Sequence, residues 1–66
     1  MKESRLFPAD IKKGDLITHL EDGVTYIVVK TPAEIHSNSC EVKDSHGKRY
    51  WQFAYKGILI NGKALD

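Results

Sequence analysis

Four side chains in this sequence are of the types that bind metal ions or act as nucleophiles: His19, His36, Cys40 and His46. Zinc sites in small domains commonly use cysteines spaced a few residues apart, and this chain has a single cysteine. A nucleophilic cysteine needs an accessible, electropositive setting with a base nearby. Cys40 instead precedes Glu41 in a segment with strand periodicity. The sequence therefore predicts no metal site, no cofactor and no catalytic residues.

Basic and aromatic side chains near a predicted turn form the remaining candidate surface. We expect the binding residues to be Lys43, Lys48, Arg49, Tyr50 and Gln52. Basic groups neutralise phosphates while an exposed ring stacks on a base, which is how single-stranded nucleic acid is bound. Tyrosine and arginine are also frequent anchors of protein interfaces. A solvated strand face with one tyrosine has the same composition, so three interpretations stay open.

The segment from residue 40 to residue 53 predicts the antiparallel hairpin that carries these residues. A two-residue turn at His46-Gly47 pairs Val42 with Trp51 and Cys40 with Phe53. Because side chains alternate between faces along a strand, those four apolar side chains would share a buried face. The same register places Tyr50 and Gln52 on the wet face. We therefore expect Trp51 in the core and Tyr50 in water.

The first half of the chain predicts another hairpin. Residues 15–20 and 24–30 have strand character, and Glu21-Asp22-Gly23 fits a three-residue loop with Gly23 in the left-handed conformation. This loop would pair Leu16 with Val28 across the hairpin. The residues expected to point inward are Leu16, Tyr26 and Val28.

Two further signals complete the pattern of elements. Thr31 as N-cap, Pro32 at the first helical position and Glu34 three residues after the cap form a capping box, which predicts one or two helical turns. Ile58-Leu59-Ile60 predicts a short strand, and Asn61-Gly62 predicts a tight turn after it.

Length and composition restrict the class of protein. The 66 residues carry ten basic and nine acidic side chains, for a net charge of +1. A chain of this length forms one small domain with little room for a deep pocket, so we expect a protein that is not an enzyme. The small net charge disfavours a dedicated nucleic-acid binder. The single cysteine and the lack of a long apolar run predict a cytoplasmic protein without membrane association.

These elements predict a mainly β fold, a small five-stranded antiparallel barrel with one short helical turn. Residues 1–66 would form this single domain, with residues 1–7 as a loose N-terminal arm. Residues 11–17, Ile-Lys-Lys-Gly-Asp-Leu-Ile, followed by a hairpin and Tyr26-Ile27-Val28-Val29, resemble the "KGD" start of SH3-like barrels of the KOW and Tudor kind. The resemblance implies a shape and carries over no binding residues.

The sequence as a whole predicts a small non-catalytic binding module. Its small net charge favours a protein partner, as an accessory or inhibitory factor. The alternative is binding of RNA or single-stranded nucleic acid through the basic and aromatic face of the 40–53 hairpin. Oligomeric state and the identity of the partner stay open.

Overall fold

Six strands in a single antiparallel sheet make up most of the fold. The computed structural model describes residues 7–55 and 57–64. Its elements are β1 (Leu16–His19), β2 (Thr25–Lys30), α1 (Pro32–Ile35), β3 (Ser39–Lys43), β4 (Arg49–Phe53), β5 (Ile58–Ile60) and β6 (Lys63–Ala64). The strand order is β4-β3-β2-β1-β5-β6. The mainly β, antiparallel prediction with one short helix is confirmed.

The sheet has six strands rather than the predicted five, and within the described residues it is not closed into a barrel. A sixth strand follows the turn at Asn61-Gly62, and the terminal strands β4 and β6 do not pair with each other in the described part of the chain. Closing a sheet into a barrel requires its terminal strands to pair in a staggered register, and β6 has two residues within the described part of the chain. The sheet is therefore open at β4. Residues 1–6 of the predicted arm lie outside the described residues, and Phe7 packs against the core.

The first hairpin forms where predicted, but its register is shifted by one residue. Leu16 pairs with Ile27 and Ile17 pairs with Tyr26. The loop is one residue longer than the sequence indicated, because the N–H of Gly23 donates to the carbonyl of His19 at 2.8 Å. Gly23 does adopt the left-handed conformation, with φ of 73°. As a result Ile17 is buried, and Leu16, predicted to point inward, is 45% exposed.

The second hairpin is also shifted by one residue. Val42 pairs with Tyr50, and Cys40 pairs with Gln52. The loop contains three residues, Ser45-His46-Gly47, because the N–H of Gly47 donates to the carbonyl of Asp44 at 3.0 Å. Gly47 has φ of 85°, which is the type I turn followed by a glycine bulge that is common in hairpins.

This shift reverses the predicted faces of β4. A slip of one residue moves every side chain of a strand to the opposite face. Trp51 and Phe53, predicted to be buried, are 61% and 63% exposed. Gln52, predicted to face water, is 7% exposed. The predictions for Cys40 and Val42 are confirmed, since both side chains are fully buried.

Helix α1 begins as its sequence predicts. The Thr31 hydroxyl accepts the N–H of Glu34, while the Glu34 carboxylate accepts the N–H of Thr31 at 3.1 Å. These reciprocal bonds satisfy two N–H groups that a helix start leaves without partners. In the described part of the chain, no helix is long and apolar enough to cross a membrane.

The core lies on one face of the sheet, which we call the core face. Its fully or nearly fully buried apolar residues come from β1, β2, β3 and β5: Ile17, Val28, Cys40, Val42, Ile58 and Ile60. Phe7 and Ile11, from the segment before β1, pack against this cluster together with Tyr26. Side chains alternate between the two faces along each strand. The residues between the core-face residues therefore point to the opposite face, which we call the outer face.

Candidate functional site

The five predicted binding residues do not share one face. Lys43 and Arg49 are cross-strand partners on the outer face. Tyr50 and Gln52 lie on the core face, opposite Val42 and Cys40 respectively. The fifth residue, Lys48, follows the turn, and its Nζ lies 5.7 Å from the centre of the Tyr50 ring. The structure therefore divides the set into an outer pair and a core-face group.

The Gln52 side chain forms hydrogen bonds within the fold on the core face. Its Oε1 accepts a hydrogen bond from His19 Nε2 at 2.6 Å, and its Nε2 donates to the carbonyl of Phe53 at 2.8 Å. Both polar ends of this buried amide are thus satisfied by protein groups, as burial requires. Gln52 links β4 to β1 across the sheet, and its amide is not available to a ligand.

Rings from three strands and a loop form an aromatic row along the core face. Tyr50 meets Tyr26 edge-on with ring centres 5.4 Å apart, and Tyr26 lies 5.0 Å from His19. Tyr55 meets His19 edge-on at 6.4 Å. These spacings are typical of favourable aromatic pairs. The row lies at one side of the buried core, and Tyr50 ends it on β4, the last strand of the sheet on that side.

Asp44 organises the turn beside Tyr50. Its Oδ1 accepts the N–H groups of His46 and Lys48, both at 2.9 Å, and its Oδ2 accepts the Tyr50 hydroxyl at 3.2 Å. Desolvation opposes ionisation of this carboxyl, but the hydrogen bonds outweigh it and lower the pKa of Asp44. Desolvation and the bond to Asp44 raise the pKa of Tyr50. Asp44 is thus occupied within its own turn, and Arg49 lies opposite Lys43.

The outer face of β4 carries the largest exposed apolar side chains of the described residues. Trp51 and Phe53 lie two residues apart and therefore on the same side of the strand. Arg49 precedes them on this face, and its Nη1 lies 3.5 Å from Oε2 of Glu41 on the neighbouring strand. Two exposed aromatic rings beside a positioned arginine have the composition of an interface anchor.

The backbone of β4 adds a second feature, because one side of this strand has no partner strand among the described residues. The closing pair of the hairpin is hydrogen-bonded, with Asp44 N donating to the Lys48 carbonyl at 3.0 Å. Bonded and non-bonded pairs alternate along an antiparallel ladder, so Tyr50 and Gln52 bond to β3. The N–H and C=O groups that point away from β3 belong to Arg49, Trp51 and Phe53.

Within residues 7–55 and 57–64, this edge lacks the usual protection against pairing with another strand. Natural edge strands are shortened, bulged, or carry proline or an inward-pointing charge. β4 has five residues in continuous register with β3, no proline, and a charge only at its first residue. β6, at the other end of the sheet, has two residues. The open edge of β4, together with Trp51 and Phe53, is the candidate site, and we call it the β4 edge.

The residues first considered for metal or nucleophilic chemistry are not assembled into a site. Among the described residues, no group of three or more histidine, cysteine, aspartate or glutamate side chains is placed to hold a metal ion. Cys40 is fully buried, and burial followed by the nearby Asp15 charge raises its pKa to about 11. A thiol in this state is protonated at neutral pH and therefore a poor nucleophile.

Trp51 and Phe53 were missed because the turn was placed one residue off. The signal that identifies the right turn is present in the sequence, with aspartate at the first position and glycine at the fourth position of Asp44-Ser45-His46-Gly47.

Comparison of the chain with protein-family models, with curated proteins and with solved structures finds no match.

Proposed function

We propose that this chain is a non-catalytic module that binds a protein partner by pairing an extended segment with the β4 edge. Trp51 and Phe53 would serve as side-chain anchors next to the new strand. The observation that carries the proposal is the coincidence of an unprotected strand edge with the two most exposed aromatic rings of the strand. The aromatic row on the opposite face is already engaged in contacts within the chain.

The backbone supplies the first part of the binding energy. A segment added to a sheet edge gains main-chain hydrogen bonds, while its alternate side chains contact both faces of the sheet. Arg49, Trp51 and Phe53 of β4 direct their N–H and C=O groups away from β3, toward the open edge. A partner segment of about five residues would satisfy them.

The side chains supply the second part. Aromatic residues bury roughly 150–250 Å² each when covered, and apolar burial contributes about 25 cal/mol per Å². Covering half of each exposed ring therefore contributes on the order of 2 kcal/mol per residue. Arg49 is held by Glu41 at 3.5 Å, which reduces the entropy lost when a partner contacts it.

Two further proposals concern the shape of the protein and its location in the cell. The resemblance of residues 11–17 and 26–29 to SH3-like barrels is kept as a proposal about shape, supported by the consecutive antiparallel strands β1 to β4. A cytoplasmic location is supported by a single buried thiol with no second cysteine to form a disulfide.

The proposal is tested by selecting binders from a library of random extended peptides and mapping them by NMR. We expect selected peptides to shift the amide signals of Arg49, Trp51 and Phe53 more than those of Tyr50 and Gln52. The double substitution Trp51→Ser and Phe53→Ser should weaken binding by on the order of several hundredfold, given roughly 2 kcal/mol per anchor.

Leu20→Ser is the matched control for this experiment. Leu20 is 56% exposed but lies in the loop between β1 and β2, so its substitution should leave the affinity unchanged. Binding that survives loss of both β4 aromatics, or that falls equally with Leu20→Ser, would contradict the proposal.

Single-stranded nucleic acid is the second candidate ligand. It is supported by the position of Lys43 and Arg49 on the same face as Trp51 and Phe53, which places charge beside rings that could stack on bases. Two phosphate contacts predict about a sevenfold loss of affinity between about 50 and about 200 mM salt. Titration with labelled oligo(dT) and oligo(U) at both salt concentrations measures this, and no binding at low salt excludes it.

A further inference from the structure

We infer that the segment that pairs with the β4 edge is β4 of a second copy of this chain. The two strands would run antiparallel around a twofold axis that passes through Trp51, which joins two six-stranded sheets into one. This inference rests on the proposed function in taking the β4 edge as the binding surface. It adds the identity of the partner and the register of pairing.

The hydrogen-bond phase of β4 fits this arrangement. With Trp51 opposite Trp51 of the second copy, Arg49 lies opposite Phe53 in both directions. All three residues direct their N–H and C=O groups toward the open edge, so each of the three opposing pairs is hydrogen-bonded. The Phe53 carbonyl already accepts the Gln52 side chain at 2.8 Å, and its second lone pair would accept the N–H of Arg49 from the other copy. A shift by two residues in either direction leaves only two such pairs. A shift by one residue places residues whose backbone groups point to the open edge opposite residues whose backbone groups point to β3, so those pairs cannot form hydrogen bonds.

The side chains favour the same register. On the outer face, each Arg49 guanidinium would meet the ring of Phe53 in the other copy, and the two Trp51 side chains would be neighbours. Cross-strand contacts between aromatic residues and between arginine and an aromatic ring are favourable. On the core face, Tyr50 lies opposite Gln52. A different register would place Arg49 opposite Arg49 of the second copy. In that register only this one pair would be hydrogen-bonded, and the two like charges would repel each other.

The expected dimer is weak, because a five-residue strand buries little area. Such an interface falls at the low end of specific complexes, under about 1,200 Å² in total. We expect a dissociation constant between about 1 and about 100 µM, which corresponds to roughly 5–8 kcal/mol. Sedimentation equilibrium over about 0.5 to 500 µM protein brackets this range.

The first test compares two substitutions of Arg49 by sedimentation. Proline is tolerated at the first residue of an edge strand but removes the outward N–H, so Arg49→Pro deletes two of the six intermolecular hydrogen bonds. Arg49→Ala keeps the N–H and removes the same side chain. We expect Arg49→Pro to weaken dimerisation about tenfold more than Arg49→Ala, since each net hydrogen bond contributes about 0.5–1.5 kcal/mol. Equal effects, or a wild-type monomer throughout, would overturn the inference.

The second test reads the register and keeps Trp51 in place. A mixture of the Arg49→Cys and Phe53→Cys variants, treated with diamide, should form a disulfide-linked heterodimer because opposed residues lie about 5.5 Å apart between Cα atoms. Either variant alone should cross-link slowly, since its two copies of the new thiol lie about 14 Å apart along the strands. The native Cys40 is fully buried and contributes no background.

The outcomes separate this inference from the proposed function. A mixed cross-link that outpaces both single variants supports self-pairing. Cross-linking of a single variant at the same rate as the mixture overturns the register. If the protein stays monomeric at about 500 µM while selected peptides still bind the β4 edge, self-pairing fails and the proposed function stands. If a dimer forms with the expected cross-link but no peptide binds, the edge serves only the homodimer.

Discussion

Replacement of Gln52 by alanine tests the register on which both proposals depend. In a two-residue turn, this side chain would face water, and its removal would be nearly neutral. In the structure it is 7% exposed and makes hydrogen bonds of 2.6 Å to His19 and 2.8 Å to the Phe53 carbonyl. The two registers therefore predict different stabilities for the same variant.

The expected loss follows from these two bonds. Each net hydrogen bond contributes about 0.5–1.5 kcal/mol, so Gln52→Ala should destabilise the fold by roughly 1–3 kcal/mol. For a domain of this size, each kcal/mol lowers Tm by about 4–8 °C. A loss of about 2 kcal/mol thus predicts a Tm about 8–16 °C below that of the wild type.

Urea and thermal unfolding followed by far-UV circular dichroism measure this loss. Lys43→Ala, on the exposed outer face, is the matched control and should stay within about 0.5 kcal/mol of wild type. A double-mutant cycle with His19→Ala should give a coupling energy of about 0.5–1.5 kcal/mol. If Gln52→Ala behaves like Lys43→Ala and shows no coupling to His19, the three-residue turn is wrong and the β4 edge loses its anchors.

Three further predictions follow from the described contacts. The backbone N–H of Lys12 donates to Asp15 at 3.0 Å and lowers the pKa of Asp15 below its ordinary value of 3.8. Asp15 therefore stabilises the fold above that value and loses its effect as pH falls through the lowered pKa, so Asp15→Asn should flatten the dependence of unfolding free energy on pH between about 5 and about 2. Cys40 should react with a maleimide at neutral pH only as fast as the protein opens, because its thiol is buried and its pKa is raised to about 11; a rate equal to that of a free thiol would contradict this. A Cβ at Gly57 would collide with the Tyr55 ring, so Gly57→Ala should displace that ring and change its NMR shifts, whereas unchanged shifts would show that the contact does not form.

Local signals in the sequence predicted several elements with success. The capping box at Thr31 and Glu34 forms as expected, and the tight turn at Asn61-Gly62 follows the strand Ile58–Ile60. Both hairpins form in the predicted segments. These features depend on interactions within a few residues, so the identity of those residues is enough to specify them.

The candidate site could not be predicted in the same way. Both hairpin loops contain one residue more than the sequence interpretation assigned, and each extra residue reversed the faces of one strand, β1 in the first hairpin and β4 in the second. Alternation identifies which residues share a face but not which face is buried. For β4 the apolar content points to the wrong face, because Trp51 and Phe53 share the face that is exposed and the buried face carries Tyr50 and Gln52. The turn geometry at Asp44 and Gly47 decides between them.

The sequence by itself determined a mainly β chain, its strand segments, the capped helical turn and the burial of Cys40 and Val42. Only the tertiary structure decided that Gln52 enters the interior and that Trp51 remains outside. The physical reason is that a buried amide is stable only where its partners are supplied, and His19 belongs to a strand that is not adjacent to β4. The open edge likewise depends on the pairing of distant strands, which no local pattern records.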